Sequence, residues 1–220
     1  MIVLIKTHVW NDDLEEYLYR VDAECRKVGV SMIILMHGAE RPLPFKAMFF
    51  DEGIIKAMYP SGFIDMQLSN HWSLIWAYRQ LPEEDWFWSV EYDVRIRRSD
   101  LLWTIPDTED FLYVQGGRPA PPSPYMTTLQ NIEAPHYTGY LQLARYSRRL
   151  LQYLDDCYAA GQNGQDELAT YSLVFQSQFT SLPAMNQYTG GVWTWQAEYS
   201  LHNRKKYAQS RKLAIFHPCK

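Results

Sequence analysis

The sequence predicts an α/β fold, a single domain whose mainly parallel central sheet is flanked by helices. Three observations predict it. An apolar run rich in β-branched residues, Ile2-Val3-Leu4-Ile5, is followed by a stretch at helical spacing and then by a second apolar run, Ser31 to Met36. That order is a β-α-β unit, which crosses over right-handed and implies parallel strands with helices packed on them. With 220 residues, 47% hydrophobic and 15% aromatic, the chain can also close one large core without a disulfide framework or structural metal.

Each element has its own signature. Ile2 to His8, bounded by Trp10-Asn11-Asp12, has the form of a buried central strand. Asp12 with Glu15 three residues on makes a capping box, and Leu14, Leu18, Val21, Cys25 and Val28 recur at helical spacing up to Gly29. The second strand ends at His37-Gly38. Residues 42–60 are less periodic, and Phe49-Phe50-Asp51-Glu52 reads as a short edge strand or as loop. Trp72 to Leu81 is helical, with Leu74, Ile75, Tyr78 and Leu81 on one side, and Pro82 stops it. Trp86 to Val94 is the next strand and Phe111 to Val114 another, and the proline-rich stretch 116–124 is a surface connection or an active-site wall. Leu143, Leu150, Leu151, Leu154 and Tyr158 predict one long helix ending near Gly161, and Leu168, Phe175 and Phe179 predict another from near Asp166. Residues 202–212 are polar and basic, and Leu213-Ala214-Ile215-Phe216 is apolar again.

Charge and cysteine content narrow the function classes. Twenty-one Lys plus Arg against 25 Asp plus Glu gives a net charge of -4, without the general basic field of a duplex nucleic-acid binder, so no nucleic-acid partner is expected. Cys25, Cys157 and Cys219 form no C-x-x-C pair and fit a reducing, cytoplasmic setting. Ile2 to Lys6 lacks the form of a signal peptide, and no stretch approaches the ~18 apolar residues of a transmembrane segment. Oligomeric state is not written in the sequence.

The segment richest in chemistry is Trp86-Phe87-Trp88-Ser89-Val90-Glu91-Tyr92-Asp93-Val94. Side chains alternate along a strand, so Ser89, Glu91 and Asp93 project from one face, and Trp86, Trp88, Val90 and Tyr92 from the other. Two like charges about 4 Å apart repel by about 4 kcal/mol at an effective dielectric of about 20, so the pair calls for positive charge. A divalent ion can supply it, or Arg95, Arg97 and Arg98 can. Oxygen ligands suit Mn²⁺ or Mg²⁺, which complete their shells with water and substrate phosphates, and open α/β sheets bind ligands at the carboxyl ends of their strands.

This segment, after a β-α-β start and a helix, resembles the metal-binding region of GT-A type glycosyltransferases. Those enzymes carry an Asp-X-Asp motif or a variant at a strand end and bind the diphosphate of a nucleotide sugar through a metal. Glu91-Tyr92-Asp93 is a variant with Glu in the first position. Phe216-His217-Pro218-Cys219-Lys220 resembles the late His-x-x-Lys type segment of the family, which implies His217 as a third metal ligand and Lys220 as a diphosphate contact. Gly164-Gln165-Asp166-Glu167 resembles the acceptor-side region, which implies Glu167, with Asp166 second, as the catalytic carboxylate. Acids at a helix start are also favoured by the helix dipole, so the alternative is ordinary helix-start chemistry. The same fold lays the nucleotide over the ends of the first strands, implying Thr7, His8 and His37 as nucleotide-sugar contacts. Trp193 and Trp195, beside Gly190-Gly191, either stack on an acceptor sugar or pack in the core.

The resemblance therefore implies an enzyme with residues 1–100 as its nucleotide-sugar half and residues 101–220 as its acceptor half. It would transfer a sugar from a nucleotide-diphosphate donor to a carbohydrate or other hydroxyl acceptor, with Mn²⁺ or Mg²⁺ as cofactor. The alternatives are a non-catalytic nucleotide- or carbohydrate-binding relative and a metal-dependent phosphohydrolase. A nucleotidyltransferase is disfavoured, since no glycine-rich phosphate loop followed by lysine occurs. The donor sugar, the acceptor and the stereochemical outcome are open at this level.

Overall fold

The computed structural model describes residues 1–194 and 196–219. Strand β1 (Ile2–Thr7), helix α1 (Asp12–Lys27) and strand β2 (Ser31–His37) form the expected β-α-β unit, with β1 and β2 parallel. Helix α1 is capped one residue earlier than the capping box places it. Asn11 accepts from the Leu14 N–H at 2.9 Å, and Glu15 takes the Trp10 indole N–H at 2.9 Å. The ambiguous stretch is an edge strand, β3 (Ala47–Phe50), parallel to β2, followed by α2 (Glu52–Met58) with Asp51 as its cap.

Helix α3 (Trp72–Gln80) leads into β4 (Trp86–Glu91), β5 (Arg95–Arg97), α4 (Ser99–Leu102), β6 (Phe111–Tyr113), β7 (Arg118–Pro119) and β8 (Tyr137–Thr138). Then come β9 (Leu143–Ser147), α5 (Arg148–Ala159), α6 (Asp166–Gln176), β10 (Ser181–Leu182), α7 (Ser200–Gln209) and β11 (Ala214–Phe216). The central sheet has seven strands in the order β10-β6-β9-β4-β1-β2-β3, and only β9 runs against the rest.

Strand β9 corrects the helix expected from Leu143 onward. Residues 143–147 pair antiparallel with β4 and β6 because they alternate, Ala144 and Tyr146 entering one core and Leu143 the other. Ser147 ends the strand by capping α5, its Oγ accepting from Leu150 N–H at 3.2 Å. Helix α6 stops at Gln176, so Phe179 lies beyond it and packs on Tyr153 instead.

Period-two alternation builds two cores, one on each face of the sheet. Ile2, Leu4, Ile33, Leu35 and Phe87 face α3, α5 and α6, and Val3, Ile5, Ile34, Trp88 and Val90 face α1. Fully burying one such aliphatic or aromatic side chain contributes roughly 1.5–3 kcal/mol, so the doubly covered strands β1, β2 and β4 anchor the molecule. Their carboxyl ends are the rigid rim on which the candidate site is built.

At that rim β4 ends at Glu91, one turn before the strand expected to reach Val94. Tyr92 and Asp93 form a turn closed by Val94 N–H on the Glu91 carbonyl at 3.0 Å, so Asp93 is presented from a turn and not from a strand. The chain then forms β5, which pairs antiparallel with β11. That pairing brings the residues after β11 back to Asp93, where the Cys219 N–H donates to the Asp93 carbonyl at 2.8 Å. Among the described residues no helix is long and apolar enough to cross a membrane.

Candidate active site

A cavity of about 840 Å³ opens over the carboxyl ends of β1, β2, β3 and β4. This is the crevice in which open α/β sheets bind ligands, and its size lies in the ~300–1,000 Å³ range of small-molecule sites. Glu91, Asp93, His217, Asp166 and Glu167 all line it, as do Thr7, His8 and His37.

One wall carries the candidate metal centre. Glu91 at the end of β4, Asp93 in the following turn and His217 just after β11 each bring one ligand atom within 4.8 Å of the others. His217 Nε2 stands 3.5 Å from Asp93 Oδ1, and both residues are buried. Glu91 is oriented from the opposite side, its Oε1 accepting from Asn70 Nδ2 at 3.0 Å and facing Lys6 Nζ at 3.6 Å. Two carboxylates select a hard cation of the Mg²⁺ or Mn²⁺ type, and the imidazole nitrogen moves the preference toward Mn²⁺. The donor set fits such an ion.

The arginines that could have neutralised the acids are engaged elsewhere. Arg95 reaches Asp13 at 3.0 Å and the Tyr92 carbonyl, Arg97 reaches the Ser210 carbonyl at 3.2 Å, and Arg98 reaches Asp100 at 3.1 Å. The cation beside Glu91 is Lys6, which is opposite Glu91 in the β1–β4 register and buried.

The facing wall is the first turn of α6. Gln165 caps the helix, its side chain accepting from Leu168 N–H at 3.0 Å. Asp166 Oδ1 accepts from the Glu167 N–H at 2.8 Å and from Gln165 Nε2 at 3.0 Å, and the Asp166 N–H donates to the Leu68 carbonyl at 2.8 Å. Glu167 Oε1 accepts from Gln142 Nε2 at 3.1 Å and from Leu141 N–H at 3.3 Å. Burial pushes both acids well above the ordinary carboxylate range. For Asp166 the Lys6 charge opposes this and the Glu91 charge adds to it; for Glu167 the neighbouring Asp166 adds to it. No lysine or arginine among the described residues forms an ion pair with either acid.

Thr7 closes the end of β1, its Oγ1 donating to the Val9 carbonyl at 2.6 Å. His8 meets the Tyr92 ring edge-on at 5.0 Å, and His37 lies against Phe50 at 5.5 Å. Trp193 is placed in the core, not on the cavity wall as an acceptor platform; its ring lies beside the His217 imidazole, with centroids 5.1 Å apart. Trp195 and Lys220 lie outside the described residues. Sequence reasoning overlooked Lys6, Asn70 and Gln142 as parts of the site. Only Lys6 left a trace, a lysine on the face of β1 shared with Ile2 and Leu4, where alternation calls for an apolar residue. Beneath it His71 is buried, and burial, helped by the Lys6 charge, lowers its pKa to about 3.

No protein-family model and no curated protein sequence matches the chain. Among solved structures it is similar to the galactosyltransferase LgtC in complex with donor and acceptor sugar analogs, with a TM-score of 0.50 and 11% identity over 100% of this chain and 87% of that one. An active-site mutant of LgtC gives a TM-score of 0.52 at 11% identity, over 100% of this chain and 88% of that one. At such identity the likeness shows the fold alone. The mixed α/β domain and its mostly parallel seven-stranded sheet match GT-A glycosyltransferase folds.

Proposed function

We propose that the chain is a metal-dependent glycosyltransferase that moves a sugar from a nucleoside-diphosphate donor to an acceptor hydroxyl. The observation that carries this reading is the convergence of Glu91, Asp93 and His217 within 4.8 Å on the same cavity that Asp166 and Glu167 line. Glu91, Asp93 and His217 would hold Mn²⁺ or Mg²⁺, which when bound would offset negative charge building on the leaving diphosphate.

The chain's own residues divide the remaining work. Thr7, His8 and His37, which line the cavity at the ends of β1 and β2, would meet the nucleoside. Lys6 and Asn70 fix the orientation of Glu91. Glu167, raised in basicity by burial and held by Gln142 and Leu141, is the group to accept the proton of the acceptor hydroxyl if transfer inverts the anomeric centre. Asp166 tightens the first turn of α6 beneath it. If transfer retains configuration, the leaving diphosphate takes that proton instead. The three cysteines are free thiols, which accords with a reducing compartment such as the cytoplasm.

Isothermal titration of UDP, GDP and CDP with and without Mn²⁺ tests the reading. One nucleotide should bind in a metal-dependent way, and Glu91→Ala and Asp93→Ala should each weaken that binding about tenfold or more. Metal-independent binding indifferent to both substitutions would overturn the metal centre. Slow hydrolysis of one nucleotide sugar in a panel then separates an enzyme from a binding protein.

A further inference from the structure

Helix α7 buries only two side chains, Ser200 and Asn203, and both are polar. An asparagine is a weak helix former, and burying its amide is costly unless its hydrogen-bonding groups are met. In Asn203 they are met on both sides. The residue is 0% exposed; its Oδ1 accepts from the Val192 N–H at 3.1 Å, and its Nδ2 donates to the Val192 carbonyl at 2.9 Å and to the Pro218 carbonyl at 3.2 Å. Both Nδ2 hydrogens are thus spent on backbone.

The two segments that Asn203 joins converge on His217. Val192 follows Gly190-Gly191, where the fold leaves no room for side chains: a Cβ on Gly190 would stand 2.4 Å from the Phe216 ring, and one on Gly191 would stand 2.1 Å from Asn203 Oδ1. The Gly190 N–H donates to the Ile215 carbonyl at 2.8 Å. The glycine pair therefore lets backbone approach β11 and α7, and the next residue but one, Trp193, lies beside the His217 ring.

On the other side of His217, Pro218 has no N–H, so its carbonyl is its only backbone hydrogen-bonding group. That carbonyl and the Cys219 N–H are the two ends of one planar peptide unit. Asn203 holds the first end at 3.2 Å, and the Asp93 carbonyl holds the second at 2.8 Å. Before His217, Phe216 is paired with Arg95 in the β5–β11 ladder. The histidine thus stands between a strand pair and a peptide clamped from two directions, and the clamp's outer arm is Asn203.

We infer that Asn203 is a positioning residue of the metal centre. By holding the Pro218 carbonyl it keeps His217 Nε2 at 3.5 Å from Asp93 Oδ1, where both can reach one ion, and so sets the affinity of the site for Mn²⁺ without touching the ion. The inference rests on the metal centre of the glycosyltransferase reading and names what tunes it.

The test uses Mn²⁺ alone on the full chain, with free ion read by its EPR signal. Wild type should bind. Asn203→Ala should weaken binding about tenfold, the lower end of the loss expected when a group orienting a metal ligand is removed, and His217→Ala should weaken it at least as much. The double variant should bind no more weakly than His217→Ala, because Asn203 acts through that imidazole. Gly191→Ala displaces Asn203 Oδ1 without removing the residue and should match Asn203→Ala, which keeps the test open if Asn203→Ala does not fold. Asn163→Ala is the control for loss of structure alone: Asn163 is also 0% exposed and holds the Tyr158 carbonyl at 3.4 Å, and its replacement should lower the Tm while Mn²⁺ affinity stays within about twofold of wild type. Wild-type affinity in a folded Asn203→Ala or Gly191→Ala protein, a further tenfold loss in the double variant, or an equal loss in Asn163→Ala overturns the positioning role. A wild type that binds no Mn²⁺, or binding lost in Glu91→Ala but kept in His217→Ala, overturns the metal centre or the histidine's place in it, and the role of Asn203 with it. The response of His217→Ala therefore tells a failed reading of the site from a failed inference about Asn203.

Discussion

Strand β9 has buried carboxylates at both ends, and they are in opposite condition. At its carboxyl end Asp110 accepts two hydrogen bonds from Arg149 at 2.6 Å, one from Ser147 Oγ at 2.6 Å, and two from Thr180 at 3.2 and 3.1 Å. Burial pushes Asp110 upward, but Arg149, Ser147 and Thr180 together outweigh it and hold the acid below its ordinary value. At the amino end Gln142 precedes the strand and meets Glu167, beside Asp166, where burial prevails and both acids are raised. The fold evidently can satisfy a buried acid here. Leaving two of them short of positive charge inside a cavity is the arrangement expected of groups that exchange protons with a ligand, since such groups sacrifice stability for reactivity.

Exchanging the charge at each end should break this comparison. The largest effect belongs to Glu167→Gln, which, if transfer inverts the anomeric centre, should lower kcat about 100-fold or more, as loss of a general base does, while nucleotide binding by titration stays within twofold of wild type. Asp110→Asn, measured in the same assay, should change kcat less than twofold. If instead the two variants fall together, the acids at the two ends do not differ in role. Next in size is Asp110→Ala, which removes a charged acceptor from several donors and should cost about 2–3 kcal/mol. For a chain of this length that lowers the Tm by roughly 4–12 °C, read by thermal denaturation. An unchanged Tm would show that exposed Arg149 finds solvent as good a partner.

The same contrast explains what was legible in the sequence. The two-core sheet could be read from Ile2–Ile5 and Ser31–Met36 because burial on both faces leaves a continuous apolar signal. Glu91, Asp93 and His217 were legible as motifs although 124 residues separate the last two, because carboxylate spacing and a late histidine are local patterns. Their meeting depends on the antiparallel pairing of β5 with β11, a three-residue ladder too short to leave a periodic trace. Strand β9 was hidden for a related reason, since Leu143 and Leu150 are seven apart and satisfy a helical period while the strand itself spans only five residues. Lys6, Asn70 and Gln142 were missed because each acts through one neighbour brought close by the fold. Trp193 was ambiguous because an aromatic beside Gly190-Gly191 reads the same in a core as in a sugar site, and only its place beside His217 decides.

The smallest expected effect separates the two kinds of acid most directly. A carboxyl whose folded pKa is raised favours the folded state fully at pH values below its unfolded pKa of about 4, and that stability is lost as pH rises through the folded value. Glu167→Gln removes the loss. Its Tm should equal that of wild type near pH 4 and exceed it by roughly 2–4 °C at pH 8, measured with chelator present so that no cation relieves the acids. The wild-type curve alone would hide this, because His71 acts in the opposite sense. Buried and neutral, with its pKa lowered to about 3, it favours folding above its unfolded value of about 6.5 and loses that contribution as pH falls. Between pH 4 and 6.5 the two trends offset each other, whereas the difference between variant and wild type retains only the carboxyl. A difference that does not grow from pH 4 to pH 8 would mean that Glu167 ionises as freely in the folded chain as in water, and would leave it an ordinary carboxylate.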